Sequence, residues 1–230
     1  QGLPNLITCK LRLSEDDMMV RRRDFLGPWL AALFIAALVA TGLPPGPARA
    51  DEFGAGAKKF IEILTSDAIS MLTVEDISKT ERADRFRRLM NENFAIKGIA
   101  KFVIGRHWRK ATESEKTEYL QLFEDLLVAT YADRFAKYSG EKLVVNKSEV
   151  RGKGDALVHT IMIRVDGAKP LKVNWRVRGK NGIYKIVDIM VEGISMVVTQ
   201  KSEFASFIQK NGGSLGPLLI ELRKRIQDDI

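Results

Sequence analysis

The apolar residues of this chain change their period at Gly140, and that change limits the folds open to it. Before Gly140 they recur at steps of three and four; after it they alternate. A helix buries one face every 3.6 residues and a strand every second residue, so a helical part precedes a sheet part. With 230 residues, one core of ordinary size plus a terminal extension is expected. Hydrophobic residues make up 45% and charged residues 29%, enough to bury a core and too balanced for a disordered or collagen-like chain.

In the helical part, Phe60, Ile61, Leu64, Ala68, Ile69 and Met71 predict a helix over Lys58 to Met71. A second is expected from Ser78 or Thr80 to Phe94, with Thr80-Glu81-Arg82-Ala83-Asp84 offering a cap and early acids. Ile96 to Ile104 reads as a short, half-buried helix closed by Gly105. The longest begins at Thr112-Glu113-Ser114-Glu115, a capping box, and runs to Tyr138, where Ser139-Gly140 stops it.

Four strands follow: Lys142 to Val150, Ala156 to Val165, Leu171 to Arg178 and Ile183 to Val191. Their links, Gly152-Lys153-Gly154, Asp166-Gly167 and Lys180-Asn181-Gly182, are short enough for antiparallel hairpins. Leu171, Val173, Trp175 and Val177 alternate with Lys172, Asn174, Arg176 and Arg178, so one face of the sheet is dry. Ile194 to Ile208 and Leu215 to Ile226 read as further amphipathic elements, separated by Asn211-Gly212-Gly213, with Ser195 as a helix cap. The expected class is α+β, with helices gathered over one face of an antiparallel sheet.

The N-terminus follows a different logic. Arg21-Arg22-Arg23 precedes twelve apolar residues, Trp29 to Ala40, then Pro44, Pro45, Pro47 and Ala48-Arg49-Ala50. A basic, apolar, small-x-small order marks an export signal, and the apolar run falls short of the ~20 residues a membrane span needs. Residues 1–50 are therefore expected to be an extension and cleaved signal, and 51–230 a single domain released into the periplasm. Arg22-Arg23-Asp24-Phe25-Leu26 resembles the twin-arginine export motif. The single cysteine, Cys9, precedes the signal, so the exported part has neither a disulfide nor a lipidated thiol. Removing residues 1–50 takes away six basic and four acidic side chains and lowers the net charge from +8 to +6. That excess suits transient contact with an anionic membrane surface, and export argues against nucleic acid.

Catalytic constellations are scarce. His107 and His159 stand 52 positions apart with no exported cysteine, so no metal site or metal cofactor is expected. Ser195 lacks the second glycine of a nucleophile elbow, and the glycine pairs lack the rest of a phosphate loop. No catalytic residue is assigned. Asp188 is the one acid that a pocket enzyme would use, and an enzyme of that kind is one alternative; a filled-core interaction protein is another.

Three segments carry a family resemblance: Gly105-Arg106-His107-Trp108-Arg109, Tyr131 to Gly140 ending Lys137-Tyr138-Ser139-Gly140, and Gly182 to Ser195 with its Asp188-x-x-x-Glu192-Gly193-x-Ser195 core. Together with Phe204 and the Leu218 to Arg225 helix, they resemble the periplasmic lipid carriers of the toluene-tolerance, or MlaC, family over residues 55–226. The chain departs from the pattern at Tyr184, where tryptophan is common, and at Gln200-Lys201, where an aromatic-arginine pair is typical. The hopanoid-associated HpnM branch is the alternative within the family.

The resemblance implies a four-stranded curved antiparallel sheet covered by helices on one face, a cystatin-like cone related to the nuclear-transport-factor superfamily. It also implies a phospholipid or hopanoid ligand, and a shuttle between an outer-membrane lipoprotein complex and an inner-membrane ABC transporter with its substrate-binding domain. On that reading the dry strand residues Leu143, Val145, Val158, Met162, Val173, Trp175 and Val177 face Phe102, Val103, Phe123, Leu127 and Tyr131 across a lipid pocket.

Overall fold

The computed structural model describes residues 47–229, with side chains from 51 to 228. Most of the export-signal segment, with its twin-arginine stretch, and Cys9 before it lie outside the described residues. Seven α-helices occur among them: α1 (Pro47–Leu72), α2 (Lys79–Asn93), α3 (Ile96–Ile104), α4 (Arg106–Lys110), α5 (Glu113–Tyr131), α6 (Met196–Lys210) and α7 (Gly216–Asp229). None of the described helices is long and apolar enough to cross a membrane.

The α5 capping box forms where the sequence places it, whereas α2 is capped by Ser78, two residues before the expected Thr80. Ser78 Oγ accepts from Glu81 N at the start of α2, and Thr112 and Glu115 close the reciprocal capping box of α5. Gly105, at φ +50°, separates α3 from the short α4. The expected long helix from Thr112 to Tyr138 is not uniform, because α5 gives way at Ala132–Lys137 to a tighter 3₁₀ turn. Sequence periodicity cannot separate the two windings, since both return side chains to one face at three-residue steps.

The sheet is β1 (Lys142–Val150), β2 (Asp155–Ile163), β3 (Leu171–Lys180), β4 (Ile183–Val191) and β5 (Ile194–Ser195), antiparallel and in sequence order. The expected four strands thus become five. Glu192 and Gly193 both adopt positive φ, the twist of a two-residue hairpin turn, and fold Ile194–Ser195 back onto Val191 and Met190. Register shifts between Val145 and Lys147 on β1, and opposite Arg176 and Val177 on β4, bend the sheet.

The long first helix packs along β1 and β2, and its C-terminal carbonyls are met by α2: Arg82 Nε donates to Leu72 O at 3.0 Å and Arg85 Nη1 to Met71 O at 3.0 Å. Those carbonyls would otherwise lack partners. The guanidinium charges also complement the negative end of the helix dipole.

Candidate functional site

Pairing of the strands places Leu143 opposite Met162, Val145 opposite Thr160, Val158 opposite Trp175 and Val173 opposite Thr160. All seven strand residues singled out from the sequence therefore share one face. Ile186, Ile189 and Val191 of β4 extend it. Two buried hydroxyls lie on the face: Ser148 Oγ, opposite Val158 beyond the β1 bulge, has no hydrogen-bond partner among the described residues, whereas both hydrogen-bonding roles of Thr160 are filled. The Thr160 hydroxyl donates to Val173 O and accepts from Trp175 Nε1 at 3.1 Å. A satisfied hydroxyl can stay in a dry site at little cost.

The α1 helix covers one end of this face. Ala57, Ile61 and Leu64 are buried there against Ala156, Val158, Val177 and Ile186, and Phe53 and Phe60 flank Tyr184 with ring centroids 5.3 Å and 5.9 Å away. Two glycines permit the approach. A Cβ on Gly56 would lie 2.0 Å from Tyr184 Oη, and one on Gly54 would lie 3.2 Å from Val150 Cγ2. At the opposite end Leu143, Met162, Leu171 and Val191 are only half-buried. There a groove of about 420 Å³ runs between α1 and β1, lined by Thr65, Ile69, Tyr138, Leu143 and Val145 among others. Tyr138 also lines an adjoining 410 Å³ groove with Val74, Arg82 and Phe135.

The five helical candidates are divided. Val103 and Phe123 are buried in a separate apolar cluster with Tyr119, Phe204, Leu218 and Leu222, and Leu127 packs on its edge. Phe102 is 48% exposed, with Lys201 Nζ 4.2 Å from its ring centroid, and Tyr131 is 38% exposed beside Arg134. The helix directly over the sheet cluster is α1. Its stripe of Phe60, Ile61 and Leu64 was legible, but nothing in the stripe names the surface it meets.

A single domain usually builds one contiguous core. Here the sheet cluster and the helical cluster are distinct. Phe94 alone, among the described residues, is a partly buried residue packed against both. It is held at the seam because it bridges to Ile186 and is followed by the Ala95 N to Ile186 O bond at 2.9 Å.

The titratable groups lie elsewhere. Asp188 pairs with Arg176 in register, on the face opposite Trp175 and Val177. Its carboxylate accepts from Ser195 Oγ at 2.6 Å and Val197 N at 3.2 Å, and Ser195 Oγ in turn accepts from Val198 N. Asp188 thus secures the start of α6 and does not line the dry face. Also on the outer face, burial alone would push Asp155 up, yet Arg176 and Arg178 donate to it and hold its carboxyl below its ordinary value. His159 Nε2 lies 3.3 Å from Glu149 Oε2. Burial lowers His107, and the neighbouring charges of Arg106 and Lys110 lower it further. Among the described residues no group of acids, histidines or cysteines is arranged to hold a metal ion.

A curved antiparallel sheet under helices is what the resemblance in sequence implied, and a family model described as MlaC protein matches residues 62–224. The chain belongs to the MlaC family. The intermembrane phospholipid transport system binding protein MlaC of Haemophilus influenzae is 21% identical over 113 residues, covering 48% of this chain and 53% of that protein. The chain thus spans about half the length of this curated MlaC relative. A phospholipid-binding protein from Ralstonia solanacearum, solved in complex with a phospholipid, superposes with a TM-score of 0.67. It is 21% identical and the match covers 75% of this chain and 98% of that one, which establishes the MlaC fold.

Proposed function

We propose that this chain is a periplasmic phospholipid carrier, the soluble component of an ABC-type lipid transport system that moves lipid between the outer and inner membranes. The observation that carries this reading is the division of the interior into two apolar layers that meet at Phe94. Acyl chains would lie against the open end of the dry sheet face, on Leu143, Val145, Met162, Val173 and Trp175, and reach toward Val158 and Val177, which pack under α1. They would enter from the end where that face is half-buried. Val103, Phe123 and Leu127 would back the helical layer, while Phe102 and Tyr131 would lie at the surface.

Membership in the MlaC family supports the reading, as do the phospholipid named for the Ralstonia protein and the transport system named for the Haemophilus one. Export would release residues 51–230 as the working domain. A hopanoid would suit the same dry face and is the alternative cargo. Catalysis has no part in the proposal.

The physical basis is the cost of wetting lipid tails. Two sixteen-carbon chains carry roughly 30 methylenes, and at ~0.8 kcal/mol each their exposure costs on the order of 20 kcal/mol. A carrier that offers an equally dry site makes transfer nearly neutral, so cargo can be both taken up and released. Native mass spectrometry of protein purified from the periplasm without detergent, followed by lipid extraction, tests this. A stoichiometric phospholipid adduct is expected. Protein that is repeatedly ligand-free and takes no lipid from vesicles would favour a filled-core interaction protein instead.

A further inference from the structure

From Asn93 to Thr112 the chain carries five basic residues, Lys97, Lys101, Arg106, Arg109 and Lys110, and no acid. All five are exposed, and none forms an ion pair among the described residues. The geometry gathers them. On α3 the buried side is Ile96, Ala100, Val103 and Ile104, so Lys97, Lys101 and Phe102 point outward at i, i+4 and i+5. Gly105 turns the chain without interrupting the outward series, which continues through Arg106, Arg109 and Lys110 on α4.

Two rings lie within this charge. Lys201 of α6 sits 4.2 Å over the Phe102 ring, while Lys101 and Lys116 lie 4.9 Å and 5.6 Å from the Trp108 ring. Exposed Val198 and Ile194 stand on the α6 side, 52% and 55% open. The neighbouring acids are engaged: Glu113 with Lys116, Glu115 in the α5 capping box and Glu203 with Arg225.

We propose that the surface of α3, α4 and the start of α6 docks on an anionic lipid bilayer, with Phe102 entering the headgroup region. A single-sign field without interspersed acids matches the uniform charge of such a surface better than the mixed pattern of a protein interface. Aromatic and aliphatic side chains among lysines are the composition of an interfacial contact. The surface is separate from the dry sheet face, so the inference stands whatever fills the interior.

The test is flotation of the full chain with phosphatidylglycerol vesicles and with phosphatidylcholine vesicles, reading the excess binding to the anionic lipid. Each basic residue near an anionic surface contributes roughly fivefold in affinity. The variant Lys101→Glu/Arg109→Glu/Lys110→Glu is expected to lose at least about tenfold of the excess. A control with equal charge change on exposed hairpin turns, Lys153→Glu/Lys169→Glu/Lys180→Glu, keeps most of it. Phe102→Ser, which alters no charge, weakens binding at high salt, where the electrostatic part is screened. Equal losses in the two charge variants would show a general effect of net charge and overturn the proposal. So would the absence of any phosphatidylglycerol preference, or a surface that binds an acidic protein and ignores both vesicles. Circular dichroism of each variant separates lost docking from lost fold.

Discussion

Individual positions on the dry face show how little polarity it holds. Thr160 is buried on it because both of its hydrogen bonds are made, one to a strand carbonyl and one from the Trp175 indole. Thr160→Val keeps the shape and removes both hydrogen bonds, leaving the indole N–H unsatisfied. A loss of about 1–3 kcal/mol is expected, read as a lower urea midpoint with an unchanged slope. Trp175 was legible as an inward residue from its alternation with Asn174 and Arg176. Its partner was not, because cross-strand neighbours depend on the register of the β2–β3 hairpin, which alternation within one strand leaves open.

At the scale of elements, the outer face of β2 and β3 is held by one carboxylate between two guanidinium groups. The Asp155 carboxyl titrates below its ordinary value in the folded protein, so the unfolded chain binds the proton first. Stability from this cluster is therefore fully present above the unfolded value, about 3.9, and is lost as pH falls through the lower folded value. Thermal melts across the acid range are expected to fall less steeply for Asp155→Asn than for the parent, from a lower starting point. Element legibility followed the strength of local signals. The capping box at Thr112 and the strands flanked by glycine turns were readable, and Ile183 to Val191 has the bounds expected of it. The first helix was expected to begin near Lys58 but reaches back to Pro47, across Gly54 and Gly56. Glycine lowers helix propensity, and packing against the sheet overrides that local preference. The five-residue α4 has too few turns to produce a period at all.

For the molecule as a whole, alternation fixed which strand residues share a face, and the helical stripes fixed which helix residues are apolar. Which stripe meets which face is a long-range choice. The sequence reading paired the sheet with Phe102, Val103, Phe123, Leu127 and Tyr131, whereas α1 is the helix that settles on it. The family resemblance supplied the architecture that periodicity alone left open. One consequence lies in the tight contact at Gly54, Gly56 and Tyr184. It stops one end of the dry face as firmly as the other end is loose, so on the carrier reading the terminal methyls of a bound tail reach a fixed wall. Cargo would then be sorted by length, with short chains leaving a gap and long ones protruding into water at ~0.8 kcal/mol per methylene. Tyr184→Ala deepens that wall and is expected to shift the extracted lipid toward longer acyl chains, a change visible in the mass distribution of the cargo.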